Sequence, residues 1–260
     1  MEWLQTWSRG VTMIELTKDE QEYVNNERMM FDMDTKYVFN QKKCIVEYKN
    51  NYFPTKHLID LLRKKYEFPK GKYHVIYMDM PWEYNNVKTG GNHTSGATQK
   101  YNTISTGTLR FELSILINNI AAKNAVVFFW MTAPMEREQT TVFDALDFKL
   151  KSKIFWNKTG DIIESEPKTV CYKEGRLGMG FWVRHQVEFM MIGIKGDVKA
   201  FRSAKRNLVN LPILAHSEKP GEFREYIKSI TSSMGKVRKI ELFARSPAKT
   251  WISWGDQLGL

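Results

Sequence analysis

Short apolar runs alternate with amphipathic segments along most of the chain. Continuous apolar runs are typical of strands that are buried on both faces of a sheet. Five such runs lie at 73–79, 125–130, 151–156, 188–193 and 239–244. Segments with apolar residues at helical spacing lie at 55–65, 107–122, 135–147 and 219–231. Because the strands alternate with helices, we predict an α/β fold with a mainly parallel sheet and helices on both faces.

The segments outside this alternation differ from it in length and polarity. The connections 83–106 and 159–181 are polar, contain glycine and exceed the usual length of α/β connections. We predict long loops there at the ligand-binding edge of the sheet, with a disordered insertion as the alternative. Residues 1–54 show no clear periodicity, which predicts an N-terminal extension or small subdomain before a main domain at 55–260.

Composition narrows the class of protein. With 39 Lys and Arg against 29 Asp and Glu, the formal net charge is +10, which favours a polyanionic partner, although many basic proteins have none. Two cysteines without a CxxC motif and five scattered histidines predict neither a disulfide framework nor a metal site. With no signal-peptide pattern and no apolar run of membrane-spanning length, we expect an intracellular protein without membrane association.

Asp79-Met80-Pro81-Trp82 stands at the end of the first predicted strand, where α/β sheets bind ligands. This pattern suits methylation of an amine conjugated to a ring, because two acceptors for its N–H groups help to localise the nitrogen lone pair. The Asp79 carboxylate and the Met80 carbonyl would be those acceptors, with Pro81 restricting Met80 and Trp82 stacking on the base. The alternative is a strand-ending Asp followed by a turn Pro and a core Trp.

Further motifs follow this tetrapeptide in order. They are Tyr101-x-Thr103-x-Ser105, an apolar run ending at Trp130, Trp156-x-Lys158, Glu188 with Gly193-x-Lys195-Gly196, Ser217-x-Lys219-Pro220, Glu241–Arg245, and Trp251 with Gly255 and Gln257. Together with Asp79, Pro81 and Trp82 they resemble the adenine-N(6) methyltransferase family of the eukaryotic messenger-RNA adenosine methyltransferase and its bacterial, phage and ciliate DNA-methylating relatives. The resemblance covers about 73–258. It implies a Rossmann-like methyltransferase fold with a permuted motif order.

The resemblance also implies an activity and its residues. The activity is transfer of a methyl group from S-adenosylmethionine to the N(6) amine of adenine in nucleic acid. The implied cofactor contacts are Asp60, Asp79, Lys219, Glu241, Arg245, Asp256 and Gln257. Glu241 would hold the ribose hydroxyls, Asp256 stands where the family usually has Asn, and Asp60 aligns only across a one-residue gap.

The resemblance places four residues in the pocket for the target base. They are Trp82, Tyr101, Trp156 and Glu188. For Tyr101 and Trp156, packing in the core or against a loop is the alternative, and for Glu188 it is a position that merely ends a strand.

Met80 departs from the family's Asp-Pro-Pro-Trp pattern. Since its implied role belongs to a backbone carbonyl, we expect activity to be retained. A silent nucleic-acid-binding subunit beside an active homologue is the alternative, and a homo- or heterodimer with a related subunit fits either case.

Two features bear on the nucleic acid. The basic segments 149–153 and 199–206 suit phosphate contacts, with a solvated charged face as the alternative. We expect DNA rather than RNA, because the compact chain shows no zinc finger or long partner-binding extension. The compartment would be the cytoplasm for a bacterial or phage protein and the nucleus for a eukaryotic one.

Overall fold

The computed structural model describes residues 13–40, 45–83, 103–165, 169–174, 183–214, 218–255 and 258. The α-helices are α1 Lys18–Asp34, α2 Lys56–Lys65, α3 Thr106–Thr108, α4 Ser114–Ile120, α5 Glu136–Ala145 and α6 Glu222–Ile230. A π-helical turn, Leu109–Leu113, joins α3 to α4. The strands are β1 Thr35–Asn40, β2 Ile45–Asn50, β3 Tyr73–Met78, β4 Ala121–Met131, β5 Lys149–Ser165, β6 Thr169–Glu174, β7 Val187–Lys195, β8 Leu208–Pro212, β9 Lys239–Leu242 and β10 Ile252–Trp254.

Eight of these strands form one mixed, mostly parallel sheet. Its order is β10-β9-β3-β4-β7-β5-β6, and β8 pairs with β5 beside this path. Strands β10, β9, β3, β4, β5 and β8 run in one direction, while β7 and β6 run opposite to them. The predicted Rossmann-like architecture is confirmed. The permuted order is also visible, since β3, which the Asp79 tetrapeptide follows, precedes its sheet neighbour β9 in the chain.

Apolar side chains cover the sheet on both faces. One core joins the sheet to α1, α2, α4 and α5, with Val24 and Leu58 fully buried in it. A second core joins the other face to α6 through Phe223, Ile227 and Ile230. Helices on both faces are therefore confirmed. The near-continuous burial of β3 and β4 explains why their sequences lack polar alternation.

Local signals in the sequence fix several boundaries. The Thr55 hydroxyl accepts a hydrogen bond from the Leu58 amide at 3.1 Å and so caps the N-terminus of α2. Thr17 and Glu20 form a reciprocal capping box that begins α1. Each of the five predicted strands and four predicted helices is present, with ends shifted by a few residues.

One of the two predicted long loops needs correction, and the other lies mostly outside the described residues. The predicted loop at 159–181 is wrong over its first part, because β5 continues to Ser165 and pairs antiparallel with β6. The β-branched residues Thr159, Ile162, Ile163 and Val170 favour this hairpin despite its polar neighbours. In the predicted loop 83–106, residues 84–102 lie outside the described part of the chain.

The N-terminal part has more structure than its lack of periodicity predicted. It forms α1 and an antiparallel hairpin of β1 and β2. Val24 and Phe31 of α1 join the core that covers one face of the sheet. Whether 1–54 is a separate unit stays a prediction. In the described ranges, no helix combines the length and apolarity that crossing a membrane requires.

Candidate active site

Asp79 follows the last residue of β3 in the middle of the parallel part of the sheet. The register pairs Tyr77 with Glu241 of β9 and with Phe128 of β4. Since side chains alternate along a strand, Asp79 points to the same face as Tyr77, the face that α6 covers. Trp130, Trp156 and the Phe223 side chain of α6 are buried on that face. The face and the strand ends together define the candidate site.

Four charged side chains of alternating sign form a chain across this site. Lys219, just before α6, lies with Nζ 2.9 Å from Oδ2 of Asp79 and 3.3 Å from Oε2 of Glu188. The other oxygen of Glu188, Oε1, accepts a hydrogen bond from Lys158 of β5. The Lys219 side chain is only 9% exposed. The end of β3, the start of β7, the middle of β5 and the approach to α6 are thus joined by ion pairs.

These ion pairs determine the charge states of Lys219 and Glu188. Burial by itself lowers the pKa of Lys219, but Asp79 and Glu188 outweigh it and raise that pKa well above its ordinary value. Burial by itself raises the pKa of Glu188, but Lys219 and Lys158 bring it below its ordinary value. Lys219 therefore stays a cation and Glu188 an anion at neutral pH.

Aromatic rings form the floor beneath these charges. The Trp130 indole N–H donates to the Tyr77 hydroxyl at 2.8 Å, and the Trp130 ring meets Phe223 edge to face at 4.9 Å. Lys219 Nζ lies 5.3 Å from the centre of the Trp130 ring. Lys158 Nζ lies 5.2 Å from the centre of the Trp156 ring. The floor is therefore apolar and rigid, and the cations lie over its ring faces.

The backbone of the tetrapeptide is held by two hydrogen bonds. The Trp82 amide donates to the Met80 carbonyl at 3.0 Å, which closes a three-residue turn about Pro81. The Ile104 amide donates to the Pro81 carbonyl at 2.8 Å. The turn orients the Met80 carbonyl although the first proline of the family motif is absent. A carbonyl has two lone pairs, and among the described residues the Met80 carbonyl accepts only the Trp82 amide, so one acceptor site is left there.

The Trp82 and Trp156 side chains, predicted to stack on the target base and to line its pocket, are both buried in this structure. The Trp82 side chain is 3% exposed and packs edge to face on Phe129 at 5.9 Å. Trp156 is 2% exposed, and its indole N–H donates to the Leu211 carbonyl at 2.9 Å. This burial agrees with the alternative in which both rings pack in the core, and their roles at the target base stay predictions. The sequence alone did not distinguish the roles, because burial of an aromatic ring depends on contacts distant in the chain.

The ends of β9 and β10 form the second half of the site. Glu241 is 8% exposed, and Arg224 of α6 binds its carboxylate with Nε and Nη2. Burial raises the pKa of Glu241 above its ordinary value, while Arg224 acts in the opposite direction. Phe243, directly after β9, has a φ of +61°, which is a strained conformation for a bulky residue and turns the chain sharply.

Several features at these strand ends fit a nucleoside cofactor. A Cβ at Gly255 would lie 2.6 Å from the Ala244 nitrogen, so only glycine allows the two backbones to approach this closely. Ser253 Oγ and Trp251 Nε1 are buried, and neither has a hydrogen-bond partner within the described ranges. A buried carboxylate, a close backbone approach and unpaired polar atoms match what ribose hydroxyls and a base require.

The remaining predicted site residues lie in different places. Asp60 of α2 has a side chain that is 57% exposed and pairs with Arg63 of the same helix at 3.7 Å. Arg245 is partly buried in the segment after β9. Tyr101, Asp256 and Gln257 lie outside the described residues. Their predicted roles, and that of Asp60, stay predictions.

Three residues of the site had no predicted role. Lys158 was visible as part of the Trp156-x-Lys158 motif, which is a usable signal. Tyr77 was hidden within an apolar strand. Arg224 stood in an amphipathic helix where nothing in the sequence marks it, because its partner Glu241 is 17 residues away on another element.

Comparison with known proteins gives a consistent result. The profile of the MT-A70 family matches residues 73–257. The chain is 28% identical over 209 residues to the Type II methyltransferase M.MunI of a Mycoplasma species, covering 74% of this chain and 80% of that protein. It is 27% identical over 137 residues to the N(6)-adenosine-methyltransferase MT-A70-like of Arabidopsis thaliana, covering 52% of this chain and 18% of that protein. It is 22% identical over 191 residues to the N(6)-adenosine-methyltransferase catalytic subunit METTL3 of Homo sapiens, covering 72% of this chain and 28% of that protein.

Proposed function

Because this chain belongs to the MT-A70 family, whose methyltransferases use S-adenosylmethionine, we propose that it methylates the N(6) amine of adenine in DNA. The observation that carries the proposal is the state of the Asp79 carboxylate. Lys219 binds Oδ2, whereas Oδ1 has no hydrogen-bond partner among the residues that the structure describes. One oxygen is held in place and the other is left to accept an N–H of the target amine.

The tetrapeptide supplies the second acceptor. The free lone pair of the Met80 carbonyl accepts the other N–H, and the turn about Pro81 keeps this oxygen oriented. With both N–H groups engaged, the amine nitrogen becomes more tetrahedral and its lone pair is available for attack. Such prepositioned acceptors lower the barrier because no reorganisation is needed during the reaction.

The transfer itself is a displacement. S-adenosylmethionine supplies a methyl group bound to a positively charged sulfur. As the amine nitrogen bonds to the methyl carbon, the carbon–sulfur electron pair leaves with the sulfur. The surplus proton on the nitrogen passes to Oδ1 of Asp79 and then to solvent. Lys219 keeps the carboxylate in position throughout, and Glu241 with Arg224 lies at the end of the neighbouring strand, where it would hold the ribose.

DNA is proposed over RNA on the extent of the similarity to the type II methyltransferase. The alignment covers 80% of the type II methyltransferase but only 18% and 28% of the two N(6)-adenosine-methyltransferases, so the similarity extends over most of the length of the former alone among these three. The positive net charge suits a polyphosphate partner of either kind.

The proposal is tested by incubating the protein with labelled S-adenosylmethionine and, separately, duplex DNA, single-stranded DNA and RNA. We expect label in N(6)-methyladenine from DNA. The isosteric variant Asp79→Asn should lose transfer while still binding S-adenosylmethionine in calorimetry. Asp147→Asn is the matched control, because that exposed carboxylate pairs with Lys195 outside the site.

Three outcomes would contradict the proposal. Label in RNA alone would refute the choice of DNA. Full activity of Asp79→Asn would refute the role of the carboxylate. A protein that binds no cofactor and transfers no label would support the silent-subunit alternative instead.

A further inference from the structure

Two basic segments that are 46 residues or more apart in the sequence come together at one side of the sheet. Asn207, just after the second segment, accepts from the Phe155 amide at 2.7 Å through its carbonyl. Its side-chain amide donates to the Lys153 carbonyl at 3.4 Å. The chain on either side of these bonds carries six exposed cations, which we call the basic patch. They are Lys149, Lys151, Lys199, Arg202, Lys205 and Arg206.

The segment that carries four of these cations is anchored on its inner side. Phe201 packs against the core between the sheet and α6. The Tyr226 hydroxyl of α6 donates to the Arg206 carbonyl at 2.7 Å. Ser203 accepts the Lys205 amide at 3.1 Å and tightens the turn. The backbone is thus fixed to the fold while the cationic ends project into solvent.

The charges of the basic patch are not neutralised by the protein. Within the described ranges, none of the six cations has an ion-pair partner. Neighbouring cations differ in this respect, since Lys153 pairs with Glu136 at 3.1 Å and Lys195 pairs with Asp147 at 3.2 Å. Unneutralised cations on an anchored segment suit an anionic partner, because little ordering entropy is lost on binding.

We propose that the basic patch binds phosphates of duplex DNA that flank the target nucleotide, an inference that rests on the proposed function. The register places Leu211 beside Lys158, which belongs to the charged chain of the site. Arg206 lies five residues before Leu211, a span of about 16 Å along an extended chain. Phosphates of one DNA strand follow every ~3.4 Å of helix axis, so the basic patch reaches phosphates roughly five base pairs away.

The salt dependence of binding tests this inference without requiring catalysis. The probe is a mixed-sequence DNA duplex of 21 base pairs, and the dissociation constant is measured by fluorescence anisotropy over a range of salt concentrations. Each phosphate contact contributes about 0.9 to the slope of log affinity against log salt. The variant Lys199→Gln/Arg202→Gln/Lys205→Gln/Arg206→Gln should therefore lower the magnitude of the slope by about two to four.

The matched control removes the same charge elsewhere. Lys18→Gln/Lys56→Gln/Lys70→Gln/Lys236→Gln neutralises four exposed lysines outside the basic patch. This control variant reduces the long-range attraction of DNA as much as the patch variant does. Its slope of log affinity against log salt should nevertheless differ by no more than about one from the slope of the unmodified protein. Both variants should bind S-adenosylmethionine normally, which shows that they fold.

Two results would overturn the inference. In one, the patch variant and the control variant have equal slopes. In the other, the patch variant has a smaller slope than the unmodified protein with duplex RNA but not with duplex DNA. Failure of the proposed function would appear separately, as absence of methyl transfer from a protein whose DNA binding still depends on the basic patch.

Discussion

Lys219 Nζ lies 2.9 Å from Oδ2 of Asp79, so an ion pair joins two residues that are 140 positions apart in the chain. The resemblance to the family implied a cofactor contact for Lys219. In the structure its ammonium group lies between the carboxylates of Asp79 and Glu188, and its contact with the cofactor stays a prediction. Without this cation, Asp79 would carry a charge with no ion-pair partner among the described residues, and Glu188 would keep only Lys158.

Removal of this cation should damage both stability and activity. Lys219→Met leaves Asp79 and Glu188 without their shared partner, and breaking a buried pair in this way typically costs about 3–5 kcal/mol. Methyl transfer should fall by roughly a hundredfold or more, because Asp79 loses the contact that positions it. Unfolding in urea and single-turnover transfer measure the two effects.

Two further variants test whether the charge of Lys219 and its buried position matter. One keeps a cation at position 219, and the other removes a cation from an exposed pair. Lys219→Arg keeps the cation and should recover much of the stability. Lys228→Met removes a cation from an exposed pair with Glu225 on α6 and should change stability by less than about 0.5 kcal/mol. If Lys219→Met unfolds at the same urea concentration and transfers methyl groups at the same rate as the unmodified protein, the ion pair between Lys219 and Asp79 contributes to neither property.

A second prediction concerns Arg224 and the pH dependence of cofactor binding. Burial raises the pKa of Glu241, and Arg224 opposes this rise. In Arg224→Met the pKa should rise further, so the carboxylate is ionised only at higher pH. The ribose contact needs the carboxylate, and S-adenosylmethionine should therefore bind several-fold more weakly at pH 6 than at pH 8.5 in this variant. Tyr77 and Asp79 also face Glu241, and neither can replace the lost cation.

The stability of Arg224→Met should depend on pH in the opposite sense to its affinity for the cofactor. A carboxyl whose folded-state pKa is raised contributes stability at low pH, and this contribution is lost as the pH rises through the folded-state value. Arg224→Met should therefore become less stable toward alkaline pH while its cofactor affinity improves. Calorimetric titration and thermal unfolding at matched pH values measure both trends. If cofactor affinity in Arg224→Met does not vary with pH, Glu241 does not act as a carboxylate on the ribose.

The strands could be predicted from the sequence because their signal is local. Every residue of β3 except His74 is apolar or aromatic, since both faces of that strand are covered, and this is visible within six residues. The hairpin of β5 and β6 was missed for the opposite reason. It lies at the side of the sheet, where polar residues such as Asp161 and Glu164 are accepted beside β-branched ones.

The sequence predicted the positions of single residues of the site but not the contacts between them. Asp79 could be placed at a strand end because the strand could be predicted. Its pairing with Lys219, the burial of the Trp82 ring and the binding of Glu241 by Arg224 all depend on how α6 and the loops pack, which no local pattern encodes. Motif resemblance singled out Lys219 and Glu241, whose predicted cofactor contacts stay predictions, but it did not reveal their partners in the fold.

The glycines of the family motifs have structural explanations that lead to a third prediction. A Cβ at Gly193 would lie 2.7 Å from the Phe143 ring, and Gly196 has a φ of +71°. A Cβ at Gly255 would meet the Ala244 backbone, which cannot move as a side chain can. The amide of Ala244 donates to the Trp254 carbonyl at 2.9 Å, so the crowding falls where β9 and β10 end together.

Gly255→Ala should therefore separate the ends of β9 and β10. We expect a loss of about 1–3 kcal/mol in the free energy of unfolding, the usual cost of overpacking. Cofactor affinity should fall more than this stability loss explains, because Glu241 and Ser253 lie on the displaced strands. Gly107→Ala is the matched control, since its Cβ would lie 3.6 Å from the Arg28 side chain in ordinary contact. Unchanged calorimetric binding of S-adenosylmethionine by Gly255→Ala would place the cofactor away from these strand ends and would remove the structural basis for its assignment there.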